Sequence, residues 1–164
     1  MAEASLDPTD LQIVSMLQDN ARVPQAEIAR TVGLAPSAVL ERIRKLEARG
    51  VIRTYATLLD PRAVDQRLLA FVAVRTTDRP GEARVGQALA AVPEVLEVHH
   101  VAGDDCLLLK VRARDPEHLS QILRERLGHV EGVRSTRTTI VLESIKETSR
   151  LPIGAPSPPG GVTR

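Results

Sequence analysis

Apolar side chains recur at helical spacing in three stretches near the amino terminus, with polar residues between them. This period of three to four residues indicates amphipathic helices, which we predict at about 8–20, 24–31 and 36–49. The Asp-Pro pair before the first stretch is a typical helix start, with Asp7 as the N-cap. The apolar positions are, in order, Leu11, Ile13, Val14 and Leu17; Ile28 and Val32; Val39, Ile43 and Leu46.

The junction between the second and third stretches has the features of a tight corner. Ala29 is small enough for a second helix to approach closely, and Gly33 can take the left-handed backbone that a sharp turn requires. Leu34 follows and would fill the corner, and Pro36 suits the first position of the next helix. The pattern predicts a helix–turn–helix whose last helix ends at Gly50. The alternative from periodicity alone is an ordinary amphipathic surface helix.

The polar side of the third helix carries the candidate chemistry. Between positions 37 and 55 there are five basic and two acidic residues, whereas the whole chain has a formal net charge of only +1. Contact with double-stranded DNA must therefore be local and oriented. The candidate DNA-binding residues are Ser37, Ala38, Glu41, Arg42, Arg44 and Lys45.

The second half of the chain alternates strand-like and helix-like segments. Strands are predicted at 68–76, 95–103, 106–114 and 133–144, and helices at 80–92 and 116–128. This βαββαβ order is ferredoxin-like, so the fold class is α+β with a three-helix head. The segments 68–76 and 106–111 are so apolar that both sheet faces should be buried. Because two helices cover one face, we expect an identical sheet in a homodimer to cover the other.

These patterns divide the chain into four segments. We expect a helix–turn–helix domain at 6–50, a strand-containing linker at 51–67, a ligand-sensing and oligomerisation domain at 68–148 and a disordered tail at 149–164. The linker prediction rests on alternation in its first residues. The tail prediction rests on its proline and glycine content.

Composition excludes several classes of protein. No apolar run is long enough to span a membrane, the start lacks a secretory signal, and the single cysteine favours a cytoplasmic location. Cys106 is interpreted as a small buried hydrophobe. His99 and His100 would point to opposite faces of a strand and cannot share a metal. We find no catalytic set, metal site or cofactor motif, and expect no enzyme.

Four segments resemble the leucine-responsive regulatory protein/asparagine-synthetase regulator (Lrp/AsnC) family of transcription factors. They are LDPTDLQIVSMLQDNAR, EIARTVGLAPSAVLERIRKLEARGVI, VAGDDCLLLKV and VRSTRTTIVLESIKE. The resemblance implies an amino-terminal helix–turn–helix and a carboxy-terminal βαββαβ (RAM-type) domain. It further implies dimers that assemble into octamers or other multimers, with amino acids or related metabolites as small-molecule effectors.

The same resemblance implies an effector site. It maps to the loop after the second strand and to the last strand, at Ala102, Gly103, Asp104, Asp105, Cys106, Thr136 and Thr138. The common family loop reads Gly-Asp-aromatic-Asp, whereas this chain has aspartate and cysteine in the last two places. The ligand is then a different one, a larger one or absent, and the alternative is a polar hairpin turn.

A second departure concerns helix caps. The family usually caps its second and third helices with Ser or Thr, and here Pro24 and Ala35 occupy those places. Neither side chain can accept a backbone hydrogen bond. We therefore expect the Ala35→Ser substitution to stabilise the head.

Three functions are compatible with this reading. The first is a sequence-specific transcriptional regulator tuned by a small metabolite. The second is an architectural protein that wraps DNA with weak sequence preference and no effector. The third is a metabolic enzyme or its regulatory subunit, because βαββαβ domains also occur there.

Overall fold

The computed structural model describes residues 6–79, 82–103 and 106–153. These residues form two compact units. We call residues 6–57 with 147–153 the head unit, and residues 58–146 the sheet unit. Among the described residues, no helix is long and apolar enough to cross a membrane.

Three helices build the head unit: α1 (Pro8–Asp19), α2 (Gln25–Val32) and α3 (Pro36–Ala48). Their predicted positions are confirmed to within two residues. The predicted apolar stripes meet in one core, in which Ile13, Ile28 and Val39 are fully buried. Asp7 caps α1 as expected, since its carboxylate accepts a hydrogen bond from the Asp10 N–H at 2.7 Å.

The sheet unit follows the predicted βαββαβ order. Its elements are β1 (Leu68–Thr76), α4 (Arg84–Ala90), β2 (Val95–His100), β3 (Leu107–Ala113), α5 (Pro116–Gln121, continued by a π-helical turn Ile122–Leu127) and β4 (Val133–Ile140). The strands form one antiparallel sheet in the order β2-β3-β1-β4. This is the ferredoxin-like arrangement that the sequence predicts.

One face of the sheet is buried within the chain. Side chains of β1 and β3 alternate, so that Ala70, Val72 and Val74 pack with Leu107 and Leu109 in the core of the sheet unit. The opposite face carries Phe71, Ala73 and Leu108, and Phe71 is 37% exposed. On this opposite face of β1, Leu69 is buried while Phe71 and Arg75 are exposed. The β3 side chains on the same face are half-buried, so within a single chain this face is only partly covered.

The predicted linker strand is wrong for the single chain. Residues 51–67, all of them described, contain turns and extended backbone but no strand. Alternation is present, yet a strand needs a neighbour that takes its backbone hydrogen bonds. Leu58 and Leu59 are 78% and 64% exposed, which agrees with the missing neighbour.

Several predicted ends also require correction. Helix α4 begins at Arg84 rather than at 80, and β2 ends at His100 rather than at 103. Strand β4 ends at Ile140 rather than at 144. Its partner β1 begins at Leu68, and the last backbone hydrogen bond between them joins the Val141 N–H to the Leu69 carbonyl. In the tail predicted to be disordered over 149–164, Arg150, Leu151 and Ile153 contact the rest of the head unit. The rest of that prediction, 154–164, lies outside the described residues.

Candidate nucleic-acid interface and ligand site

The corner between α2 and α3 forms as the sequence predicts. Ala29 is buried, and Gly33 adopts the left-handed conformation with φ of 69°. The Leu34 N–H donates to the Ala29 carbonyl at 3.0 Å, and the leucine side chain packs on the head core. This hydrogen bond and the glycine conformation fix the path of the chain into α3.

The far end of α3 is closed by a Schellman motif. Gly50 has φ of 71°, its N–H donates to the Glu47 carbonyl at 2.9 Å, and the Val51 N–H donates to the Leu46 carbonyl at 2.9 Å. Tyr55 adds a side-chain bond, because its hydroxyl donates to Glu47 at 2.9 Å. Burial and then this bond raise the pKa of Tyr55 to about 12. The sequence reading did not find this pair.

Burial divides α3 into two faces. Val39, Ile43 and Leu46 face the head core. Among the candidate DNA-binding residues, four side chains are exposed and two are half-buried. The exposed ones are Ser37, Glu41, Arg44 and Lys45, and the half-buried ones are Ala38 and Arg42.

Glu41 and Lys45 form an ion pair one turn apart on the exposed face. Their oxygen–nitrogen distance is 2.6 Å. The hydrogen bond from Lys45 lowers the pKa of the Glu41 carboxyl, so Glu41 stays charged at neutral pH. An exposed pair of this kind contributes little stability. It can therefore open when a phosphate competes for the ammonium group.

Arg42 bridges α3 to the start of α1. Its guanidinium donates to Asp7 at 2.6 Å and to Asp10 at 2.7 Å. The Asp10 N–H and then Arg42 lower the pKa of Asp7, and the two carboxylates raise the pKa of Arg42. The sequence pattern did not predict this pairing. The acidic residues at the start of α1 and the basic residues of α3 are the signals that could have indicated it. The role of Arg42 in DNA contact remains a prediction.

A cavity of about 440 Å³ opens along this side of α3. Asp10 of α1 forms part of its wall. It brings together four of the six candidate DNA-binding residues and leaves out Ser37 and Arg44. The C-cap Arg49 also lines it, and the α3 residues that do so are Ala38, Glu41, Arg42, Lys45 and Ala48.

Three of the candidate effector residues, Cys106, Thr136 and Thr138, lie beside β1 near one end of the sheet. The Cys106 N–H donates to the Val74 carbonyl at 3.1 Å, and Thr136 is the register partner of Val74 on the other side. Two strand spacings, about 10 Å, therefore separate the backbones of Cys106 and Thr136. Thr138 lies one pair further along β4, opposite Val72.

The loop itself is partly described. Ala102 and Gly103 are exposed, and Gly103 has φ of 132°, a conformation that favours glycine. Cys106 is half-buried against the sheet core, which is consistent with a small hydrophobic residue. The candidate effector residues Asp104 and Asp105 lie outside the described residues.

Comparison with known proteins gives two model matches, one in each half of the chain. The model described as the Lrp/AsnC ligand binding domain matches residues 69–151, and the model described as winged helix-turn-helix DNA-binding matches residues 6–53. The chain belongs to the Lrp/AsnC family. Members of this family are transcriptional regulators and not enzymes.

Curated relatives extend over almost the whole chain. The HTH-type transcriptional regulator FL11 of Pyrococcus horikoshii is 39% identical over 149 residues, which cover 90% of this chain and 97% of FL11. The leucine-responsive regulatory protein of Salmonella typhimurium is 40% identical over 151 residues, covering 90% and 92%. Both similarities include the head and the sheet unit of this Lrp/AsnC protein.

Solved structures of similar chains include two complexes with an amino acid. A transcriptional regulator of Neisseria meningitidis in complex with L-Met has a TM-score of 0.82 and 33% identity, covering 90% of this chain and 97% of that one. A feast or famine regulatory protein of M. tuberculosis complexed with L-methionine has a TM-score of 0.81 and 33% identity, covering 90% and 99%.

Proposed function

We propose that this Lrp/AsnC protein is a DNA-binding transcriptional regulator whose DNA affinity or oligomeric state is changed by an amino acid or a related metabolite. The exposed polar face of α3 is the observation that carries the proposal. Its apolar face is held by the head core and both of its ends are fixed, so the polar face is presented on a rigid element. Such a helix fits the major groove of double-stranded DNA.

Within this proposal the six candidate residues have different roles. Arg44 and Lys45 are exposed cations that would contact phosphates, while Ser37 and Ala38 at the start of α3 would approach base edges. Glu41 holds Lys45 until DNA takes its place. A DNA contact by Arg42 would compete with its two bonds to carboxylates on α1.

Salt dependence of DNA binding tests the interface. The logarithm of the binding constant falls with the logarithm of salt concentration by about 0.9 per phosphate contact. Replacing Arg44 and Lys45 by Ala should therefore lower the slope by about 2 for each head that contacts DNA. The matched control replaces Arg124 and Arg126, two exposed arginines of the sheet unit, and changes the net charge equally. Equal slopes for the two double variants would refute the assignment to α3.

The effector proposal is supported by the positions of Cys106 and Thr136 on either side of Val74. Backbone N–H groups near Gly103 and the hydroxyls of Thr136 and Thr138 would hold a carboxylate, and Asp104 an ammonium group. L-Methionine is the first probe, because two similar proteins were solved with it. The remaining members of the candidate set are Ala102, Asp105 and Cys106.

A ligand of the native state must raise the melting temperature. At a concentration one hundred times its dissociation constant the stabilisation is about 2.7 kcal/mol. We expect a rise with L-methionine or another amino acid that disappears in the Thr136→Val variant. The control is Thr139→Val, whose position opposite Phe71 puts its side chain on the other face of the sheet. A response that survives in Thr136→Val but not in Thr139→Val would contradict the site.

We propose a homodimer through the open face of the sheet, with octamers as a higher assembly. Phe71 and Leu108 form an apolar centre on that face. Its border is polar, since Glu97 bonds to Lys110 at 3.1 Å and to His99 at 3.1 Å. An apolar centre with a polar rim is typical of an interface between proteins.

Mass measurement in solution tests the assembly. Placing a charge at the apolar centre with Phe71→Glu should reduce the mass to that of a single chain, because an unpaired charge would be buried. Ala91→Glu, at an exposed position after α4, is the control and should leave the mass unchanged. An oligomer that resists Phe71→Glu would refute this interface.

An architectural protein that wraps DNA without an effector is the alternative. The loop favours it, because Asp105 and Cys106 replace the aromatic residue and the aspartate that the family commonly has. Selection of binding sites from random DNA separates the two functions. A recovered sequence motif supports the regulator, and recovery of unrelated sequences supports the architectural protein.

A further inference from the structure

The carboxy-terminal residues that follow the sheet unit return to α1. Arg150 forms an ion pair with Asp19, the last residue of α1. Beside it, Gln18 bonds twice to the backbone of Leu151: its amide nitrogen donates to the carbonyl at 3.0 Å, and its amide oxygen accepts from the N–H at 2.8 Å. Ile153 is half-buried against the head core.

These contacts have the character of a docking surface for an extended segment. The side-chain amide of Gln18 satisfies both backbone groups of one residue, as a neighbouring strand would. The cation of Arg150 lies at the carboxy-terminal end of α1, where the helix dipole favours positive charge. The isoleucine two positions after Leu151 adds an apolar anchor. Three different kinds of contact thus fall within four consecutive residues.

We propose that the carboxy-terminal end of α1 is a docking surface for residues 150–153 of the same chain. We call this docked segment the strap. With the strap docked, the chain connects the head unit to the sheet unit twice. The first connection is the linker, and the second is formed by the residues that follow β4. The strap is a property of the fold and does not depend on the proposed function.

The two connections differ in reach. The linker spans from Ala48 at the end of α3 to Leu68 at the start of β1, which is about 70 Å if the chain is fully extended. The second connection spans from Ile140 at the end of β4 to Arg150, which is about 35 Å at most. While the strap is docked, the shorter connection sets the limit on how far the head can move from β4.

The limit on the movement of the head bears on how an effector could act, and this inference rests on the proposed function. Strand β4 carries the candidate effector residues Thr136 and Thr138. Residues 141–149 join the end of that strand to the strap on α1, and α1 holds Arg42 of α3 through Asp7 and Asp10. The strap therefore provides a route from β4 to α3 that bypasses the linker.

Crosslinking in the full chain tests whether the strap docks and to which copy. In a Cys106→Ser background, Gln18→Cys with Leu151→Cys should react with a short bis-maleimide to give an intrachain link. The control pairs Gln12→Cys with Leu151→Cys, because position 12 is also exposed but lies about 9 Å away along α1 and on another face. Equal crosslinking of the two pairs, or a link that joins two chains, would overturn the proposal.

Hydrogen exchange provides an independent measurement without cysteines. The Leu151 amide should be protected in the unaltered chain, and Gln18→Ala should reduce that protection by about tenfold through loss of its bond. Gln12→Ala should leave it unchanged. A Leu151 amide that exchanges equally fast in both variants and the unaltered chain would refute the strap. A chain that passes both tests yet binds no DNA would retain the strap and refute the proposed function.

Discussion

The start of α3 offers a substitution whose effect can be worked out from the structure. Ala35 is the N-cap, with φ of −69° and ψ of 147°, and has no side-chain cap bond. Asp7 caps α1 with almost the same backbone, φ of −70° and ψ of 162°, and its carboxylate accepts from the amide three residues later. A serine at position 35 would therefore find the geometry already in place.

The magnitude follows from what the amide does now. The Ala38 N–H donates to the Ala35 carbonyl at 3.0 Å, and the same carbonyl accepts a second hydrogen bond from the Val39 N–H at 3.1 Å. Because this amide is not unsatisfied, the gain from Ala35→Ser lies in the lower part of the usual range, about 0.5–1 kcal/mol. For a small domain this is a rise of about 2–8 °C in the melting temperature.

Fluorescence of Tyr55 is the assay, because the chain has one tyrosine and no tryptophan and this tyrosine belongs to the head unit. Ala83→Ser is the matched control. Ala83 is the N-cap of α4 with ψ of 14°, and the Val85 N–H that a serine would reach already donates to Asp78 at 2.9 Å. An unchanged midpoint for Ala35→Ser in a correctly folded protein, or an equal rise for both serines, would refute the reasoning.

Three other predictions concern acid, a glycine and the tyrosine. The pKa of Asp7 is lowered from 3.8 in the folded chain, so its stabilisation is complete above that value and is lost as pH falls through the folded pKa. The stability difference between the unaltered chain and Asp7→Asn, measured in urea, should shrink below about pH 4. Gly132→Ala should cost about 2 kcal/mol or more of unfolding free energy, since φ is 97° and the new Cβ would lie 2.6 Å from a valine methyl. Gly50→Ala, with φ of 71° and open space around it, should cost only about 1–2 kcal/mol. Glu47→Gln should lower the pKa of Tyr55 from about 12 towards 10, as read by ultraviolet titration.

Local signals predicted most of the fold. The near-continuous apolar run of 68–76 predicted the limits of β1, and the glycine at position 50 predicted the end of α3. These features succeed because a cap or a strand face depends on residues close in the chain. The family relationship followed from the same stretches and is confirmed by the two matched domains.

Long-range pairing could not be predicted in this way. The sequence indicates Arg42 only as a candidate DNA-binding residue, and the packing of α1 with α3 reveals its carboxylate partners. Composition around Leu151 suggested disorder, yet Gln18, distant in sequence, supplies its hydrogen bonds. For the linker, the sequence predicted a strand that the single chain does not form. Its residues do alternate, but the single chain provides no strand beside them.

Asp7 is both the N-cap of α1 and a hydrogen-bond acceptor for Arg42, and these two roles restrict which residues can replace it. As an N-cap alone it would be replaceable by asparagine or serine at little cost. As the acceptor of the Arg42 guanidinium it must also carry a negative charge and reach as far as an aspartate does. A single carboxylate thus both starts α1 and holds Arg42 of α3, so a substitution at this position would change the environment of α3 as well as the start of α1.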